Sequence, residues 1–162
     1  MADEIKRKAL MVCLGNSCRS PIAEAVFQHT VNKMGVGHLW EVDSAGIADW
    51  NVGYSPTDRA MSTIRKYGLR YKNLGRQITT EDFNKFDFIF GMDEKNISDL
   101  RSMAPENCKA KIYLLGEFDP EGERIIRDPY FDKDDRGFDK AYEQAVRCAK
   151  GFLEQLETEN VN

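Results

Sequence analysis

What this 162-residue sequence lacks narrows its chemistry before any motif is read. Its four cysteines, Cys13, Cys18, Cys108 and Cys148, form no Cys-x-x-Cys pair, and only two histidines, His29 and His38, accompany them. That set does not supply the clustered ligands of a structural zinc site, so no metal is expected. The four thiols read as free thiols of a reducing compartment rather than a disulfide framework. No apolar run approaches the roughly 20 residues that cross a bilayer. At the amino terminus, basic residues are followed only by Ala9 to Leu14 before Gly15 and Asn16. That run is too short for the core of a signal peptide and has no small-residue cleavage site after it. Basic excess is missing too: 23 Lys and Arg stand against 27 Asp and Glu, a net charge of −4. That balance gives no electrostatic footprint for nucleic-acid binding, which usually shows a basic stripe, and argues against a polybasic membrane anchor. Gly-x-Gly-x-x-Gly is absent, which removes the dinucleotide fingerprint. With no repeats and no long linker, the chain reads as a single cytoplasmic domain spanning residues 1–162.

What is present is an alternation of short apolar strands and amphipathic helices. Ala9 to Leu14 is a continuous apolar run ending at Gly15, the pattern of a central strand covered on both faces. From Pro21, the residues Ile22, Ala23, Val26, Phe27, Thr30, Val31 and Met34 recur at helical spacing, with Gly35 as the stop. Trp40–Ser44 alternates as a second strand. Thr57–Tyr67 reads as a helix stopped by Gly68, with Ala60, Met61, Ile64 and Tyr67 inward. Phe86–Met92 and Lys111–Leu115 read as third and fourth strands, and Phe138 to Leu156 as a long closing helix. The order predicts an α/β fold: an open sheet of four parallel strands flanked by helices on both faces. In such sheets ligands sit beyond the carboxyl ends of the strands, near the point where strand order reverses. That rule singles out the loop after the first strand, Cys13 to Ser20.

The loop reads Cys13-Leu14-Gly15-Asn16-Ser17-Cys18-Arg19-Ser20-Pro21. Each part suits the binding of a phosphate. Gly15 and Asn16 tolerate the backbone angles of a nest of inward N–H groups. The helix that follows adds its positive end. Arg19 carries the planar fork that meets two phosphate oxygens. Cys13 lies at the base of this positive cup, where thiolate is the favoured form. The Ser20 hydroxyl is placed to cap the helix or to donate to the Cys13 sulfur, and Pro21 fits a first helical turn. A lone cysteine on an apolar strand is usually an inert small hydrophobe, which is the reading of Cys108 and Cys148. At Cys13 the five-residue spacing to Arg19 coincides with a strand-to-helix junction, and this favours the catalytic reading.

The run Val12-Cys13-Leu14-Gly15-Asn16-Ser17-Cys18-Arg19-Ser20-Pro21-Ile22-Ala23-Glu24 resembles the signature of the low-molecular-weight protein tyrosine phosphatases. Matches at Asp43-Ser44-Ala45, Arg76-Gln77-Ile78-Thr79, Met92-Asp93-Glu94 and Asp128-Pro129-Tyr130 extend the resemblance over nearly the whole chain. It implies hydrolysis of protein phosphotyrosine and small aryl phosphates through a phosphocysteine on Cys13, with no cofactor and with self-association weak or absent. Asp128, whose Asp-Pro context alone reads as loop punctuation, becomes the implied general acid. Trp50, Tyr130 and Phe131 become the implied walls of the substrate pocket; many relatives carry a second tyrosine where this chain has Phe131. Ser44 becomes a brace of the loop together with Asn16 and Ser20. Many relatives add a histidine from the segment matching Tyr71–Leu74, where this chain has Asn73. Cys18 becomes the implied redox partner of Cys13.

Two other classes stand beside this one. An arsenate reductase on the same scaffold needs relay cysteines in the middle of the chain, and 70–90 has none. A non-catalytic phosphopeptide-binding module needs neither Cys13 nor Asp128. The basic residues Arg65, Lys66, Arg70 and Lys72 could steer an acidic peptide, although a solvated helix face is their commoner meaning.

Overall fold

The computed structural model describes residues 6–161; the start of the chain, read above for a signal peptide, lies largely outside them. Four strands, β1 (Arg7–Cys13), β2 (Trp40–Gly46), β3 (Phe88–Gly91) and β4 (Lys111–Leu114), form one parallel sheet in the order β2-β1-β3-β4. Among the described residues five α-helices connect and close it: α1 (Arg19–Lys33), α2 (Asp58–Lys66), α3 (Asp82–Lys85), α4 (Glu94–Met103) and α5 (Arg136–Val161). No helix among the described residues is long and apolar enough to cross a membrane.

β1 is central and has two cores because successive side chains of a strand point to opposite faces. Ala9, Met11 and Cys13 join the cluster built with α1, α2 and α5, whereas Leu10 and Val12 join the one holding Phe83, Ile89, Ile97 and Leu100. The same alternation turns Cys13 toward the side from which α1 departs. Chain order reverses beside β1, since β2 lies on one side and β3 on the other. The carboxyl end of β1 is therefore the switch point, as the strand pattern predicts.

Several boundaries differ from the expectation. α1 begins two residues before Pro21. β3 is shorter than Phe86–Met92: Phe86 already closes α3, with its N–H on the Asp82 carbonyl. α3 and α4 were not anticipated. α4 buries only Asn96, Ile97 and Leu100, too few residues to set up a long apolar stripe. Its signal was Asp93, whose carboxylate accepts from the Asn96 N–H as an N-cap. Gly35 and Gly68 do end their helices, at φ 78° each.

The long α5 packs on α1 and locks the segment leading to Asp128. Phe152 meets Phe88, Phe90 and Phe118 edge-on, with centroids 5.0, 4.9 and 5.0 Å away. Arg147 donates through Nε and Nη2 to the two oxygens of Asp119 at 2.9 and 3.0 Å. The N–H groups of Glu121 and Glu123 also donate to that carboxylate. Gln144 holds the Ile125 carbonyl at 2.8 Å, and the Ile126 N–H reaches the Met92 carbonyl at 3.0 Å. The strap from β4 to Asp128 is thereby pinned at successive points.

Arg147 and the surrounding donors hold the Asp119 carboxyl below the usual carboxylate range. A depressed acid contributes stability above its unfolded value, about 3.9, and that contribution is lost as pH falls through the folded value. Asp119→Asn should cost about 3–5 kcal/mol at pH 7, and the difference from wild type should shrink toward pH 3 in urea titrations. Equal stabilities at pH 7 would contradict this role for Asp119.

Candidate active site

The phosphate-sized loop is shaped by where its carbonyls go. The carbonyl of Cys13 accepts from the Ile47 N–H at 3.0 Å and that of Leu14 from the Ala48 N–H at 2.9 Å. Asn16 offers its carbonyl to Asn51 Nδ2 at 3.1 Å, and Ser17 offers its own to the Thr57 N–H at 3.0 Å. These oxygens all turn outward, toward the segment after β2. Among the described residues no acceptor takes the N–H groups of Gly15, Asn16, Ser17 or Cys18. Outward carbonyls and unspent donors are the makings of an anion nest.

The tight bend falls on Asn16, at φ 54°, the one non-glycine residue with positive φ among those described. Gly15 is not in the left-handed range, so of the two residues expected to tolerate the nest's backbone angles Asn16 is the one with positive φ. Another glycine matters more for the loop. A side chain on Gly46 would bring its Cβ within 3.1 Å of the Asn16 backbone nitrogen and 2.9 Å of the Ala48 carbonyl oxygen.

Cys13 is 3% exposed, and its Sγ lies 3.1 Å from Ser20 Oγ and 3.4 Å from the Ser20 N–H. The Ser20 hydroxyl lies at the sulfur and not at the helix cap; Cys18 occupies the N-cap position of α1 and makes no side-chain cap bond. The orientation of Asn16 fixes the rest. Its Oδ1 accepts from the Arg76 N–H at 3.0 Å, so its Nδ2 must be the donor toward Ser20 Oγ at 2.8 Å and Ser44 Oγ at 3.0 Å. Ser44 in turn donates to Glu24 Oε1 at 2.6 Å. Asn73 reaches Glu24 at 3.3 Å and Asp43 at 2.7 Å, so it touches this network through the carboxylates and not through the loop.

Arg19 is buried, and its Nη1 donates to Asp93 Oδ2 at 2.6 Å and to the Ile126 carbonyl at 2.9 Å. Its Nη2 stands 3.9 Å from Asp128 Oδ2. Asp93 and Glu24 were not assigned roles from the sequence. Both had a signal: Asp93 follows β3 at the same sheet end as the loop, and Glu24 lies four residues after Ser20, on one face of α1.

A cleft of about 480 Å³ opens over the loop, lined by Leu14, Gly15, Ser17, Trp50, Asn51, Thr57, Asp128, Tyr130 and Phe131. The three aromatics expected as walls are brought together there. Trp50 is 70% and Phe131 91% exposed, and the Tyr130 and Phe131 rings meet edge-on at 4.8 Å. Asp128 Oδ1 accepts from the Tyr130 N–H at 3.1 Å. Arg59 ties down the rest of this segment, donating to Asp135 Oδ1 at 2.9 Å and to the carbonyls of Asp132 and Asp134. Cys18 is buried, its Sγ lying 3.4 Å from Thr57 Oγ1, and burial pushes its thiol up. Among the described residues no three His, Cys, Asp or Glu gather to hold a metal.

The family model described as low molecular weight phosphotyrosine protein phosphatase matches residues 8–162. A low molecular weight phosphotyrosine protein phosphatase of Sus scrofa is 48% identical over 158 residues, 96% of this chain and 99% of the relative. The crystal structure of a protein tyrosine phosphatase from Entamoeba histolytica superposes with a TM-score of 0.91 at 29% identity, covering 96% of this chain and 99% of that one. A second crystal structure, described as a drosophila arginine phosphatase, gives a TM-score of 0.88 at 41% identity over 92% of this chain and 97% of that one.

Proposed function

We propose that this chain, which belongs to the low molecular weight phosphotyrosine protein phosphatases, hydrolyses phosphotyrosine through a phosphocysteine formed on Cys13. The observation that carries the assignment of the sulfur is the loop itself. Its carbonyls turn away, its N–H groups remain unspent, and Ser20 Oγ lies 3.1 Å from Sγ. A dianion seated in that nest faces a sulfur from below and a carboxyl, Asp128, from the cleft wall.

In the first displacement the Cys13 thiolate attacks phosphorus and the bond from phosphorus to the phenolic oxygen breaks. Asp128 gives its proton to that oxygen, so tyrosine leaves as a neutral phenol. The loop amides and the free edge of the Arg19 guanidinium hold the equatorial oxygens, and Asp93 and the Ile126 carbonyl fix the guanidinium from its other side. In the second displacement Asp128, now a carboxylate, takes a proton from water. The water oxygen bonds to phosphorus, the sulfur–phosphorus bond breaks, and inorganic phosphate leaves with the thiolate restored. Ser20, donating to the sulfur, favours thiolate both as nucleophile and as leaving group. Trp50, Tyr130 and Phe131 offer aromatic faces to an aryl ester, which suits small aryl phosphates as well as phosphotyrosine proteins. A single domain, a cytoplasmic location and weak or absent self-association belong to the same proposal.

Cys18 supports a protective role. Peroxide would oxidise the Cys13 thiolate to sulfenic acid, and condensation with the Cys18 thiol would release water and form a disulfide. Mass spectrometry after peroxide should find a Cys13–Cys18 bridge that dithiothreitol reverses; sulfonate on Cys13 with Cys18 untouched would refute it.

Release of phosphate from a phosphotyrosine peptide tests the whole assignment. Cys13→Ser should abolish turnover. Asp128→Asn should slow it by roughly 10²–10⁴-fold for poor leaving groups and far less for nitrophenolate. Equal losses across leaving groups would remove Asp128 as the acid, and faster turnover of a phosphoarginine peptide would overturn the substrate class.

A further inference from the structure

The chain of hydrogen bonds that begins at the Cys13 sulfur has a definite sense, and its far end is Tyr71. Asn16 Nδ2 donates to the oxygens of both Ser20 and Ser44. Ser20, having accepted there, has its own hydrogen free for Sγ at 3.1 Å. Ser44, having accepted, sends its hydrogen to Glu24 Oε1 at 2.6 Å. The Arg76 N–H on Oδ1 fixes the Asn16 end, but at Ser44 the sense holds only while Glu24 accepts. A carboxylate has no hydrogen to give, whereas a carboxylic acid can donate to Ser44 and compete with Asn16 for the same hydroxyl. The Tyr71 hydroxyl donates to that same Oε1 at 2.6 Å and lies 3.3 Å from Ser44 Oγ.

We propose that Tyr71 is a positioning residue for the sulfur chemistry: its hydroxyl holds Glu24 as the acceptor that ends the chain, so that Ser44 stays free to accept from Asn16, the side chain that turns the Ser20 hydrogen toward Cys13. The proposal rests on the reading of Cys13 as the nucleophile.

The surroundings of Glu24 make this donor consequential. The carboxyl is 9% exposed, and burial pushes it up. Asp43, on β2, pushes the same way by like charge. Arg76 faces Asp43 at 3.0 Å and Asp82 at 2.9 Å, so its charge is already shared between two other carboxylates. Ser44, Tyr71 and Asn73 are the donors that favour the charged form, and the Asn73 contacts are long at 3.3 Å. Loss of the Tyr71 hydroxyl removes one of the two short ones. The Glu24 carboxyl then holds its proton to higher pH, and the orienting acceptor is lost earlier on acidification.

The experiment compares wild type, Tyr71→Phe, Glu24→Gln, the double variant and Cys13→Ser on an aryl phosphate across pH, with thermal melting of each. Tyr67→Phe is the control, since the Tyr67 hydroxyl bonds Asp139 and lies outside the chain of bonds. Tyr71→Phe should lower kcat/KM by roughly 5- to 30-fold, with the acid limb of the profile moved up by about half a pH unit or more. Its melting temperature should match that of Tyr67→Phe, and the double variant should be no worse than Glu24→Gln alone. Activity within twofold of wild type, a loss with an unmoved acid limb, or additive losses in the double variant would overturn the role of Tyr71. Turnover retained in Cys13→Ser would instead overturn the nucleophile assignment on which it rests.

Discussion

A sulfur atom beneath a ring of unspent N–H groups, held 3.1 Å from one hydroxyl, is the arrangement on which the other features of this molecule converge. Thiolate next to an incoming dianion is electrostatically unfavourable unless the surroundings supply positive potential to both. The loop supplies it through peptide dipoles, the amino-terminal end of α1 and Arg19. The loop carbonyls are already committed to Ile47, Ala48, Asn51 and Thr57, so the loop donors face inward before any phosphate is bound. Preorganisation of this kind is the usual source of the largest electrostatic contribution to catalysis.

The fold delivers these parts from distant stretches of chain. β1 contributes the sulfur, α1 the arginine and serine, β2 the Ser44 brace, and the turn after β3 the carboxylate that holds Arg19. A parallel sheet brings the carboxyl ends of neighbouring strands to one side, so residues 13, 44 and 93 meet there although dozens of positions separate them. The acid segment is more loosely sited. Asp128 lies in an exposed stretch whose position depends on Arg59 below it and on the Asp119–Arg147 pair upstream. In the proposed mechanism, leaving-group protonation therefore depends on contacts that do not touch the phosphate loop.

The strand pattern and the residues after Cys13 carried much of this in plain view. The apolar run from Ala9, the helical spacing after Pro21 and the switch-point rule were enough to locate the loop, because each is a local or topological regularity. Two kinds of feature were not readable that way. The first is the short helix α4, whose buried face holds only Asn96, Ile97 and Leu100, below what a periodic pattern needs. The second is the buried network. Glu24 looked like an ordinary helix carboxylate and Tyr71 like an ordinary loop aromatic. Their meeting at 2.6 Å depends on how the segment after α2 folds back over β2, which no spacing in the sequence records. Asn73 shows the intermediate case: its segment was identified through the family resemblance, yet its contacts run to Glu24 and Asp43, one step further from the loop than expected.

The most direct test of the central claim is a crystal structure of the wild-type chain with orthovanadate, a mimic of five-coordinate phosphorus. The account predicts a covalent bond from Cys13 Sγ to vanadium, equatorial oxygens on the amides of residues 14–19 and on the Arg19 guanidinium, and the apical oxygen opposite sulfur facing Asp128. Vanadate bound elsewhere in the cleft, with Sγ uncoordinated and the loop amides unoccupied, would contradict it.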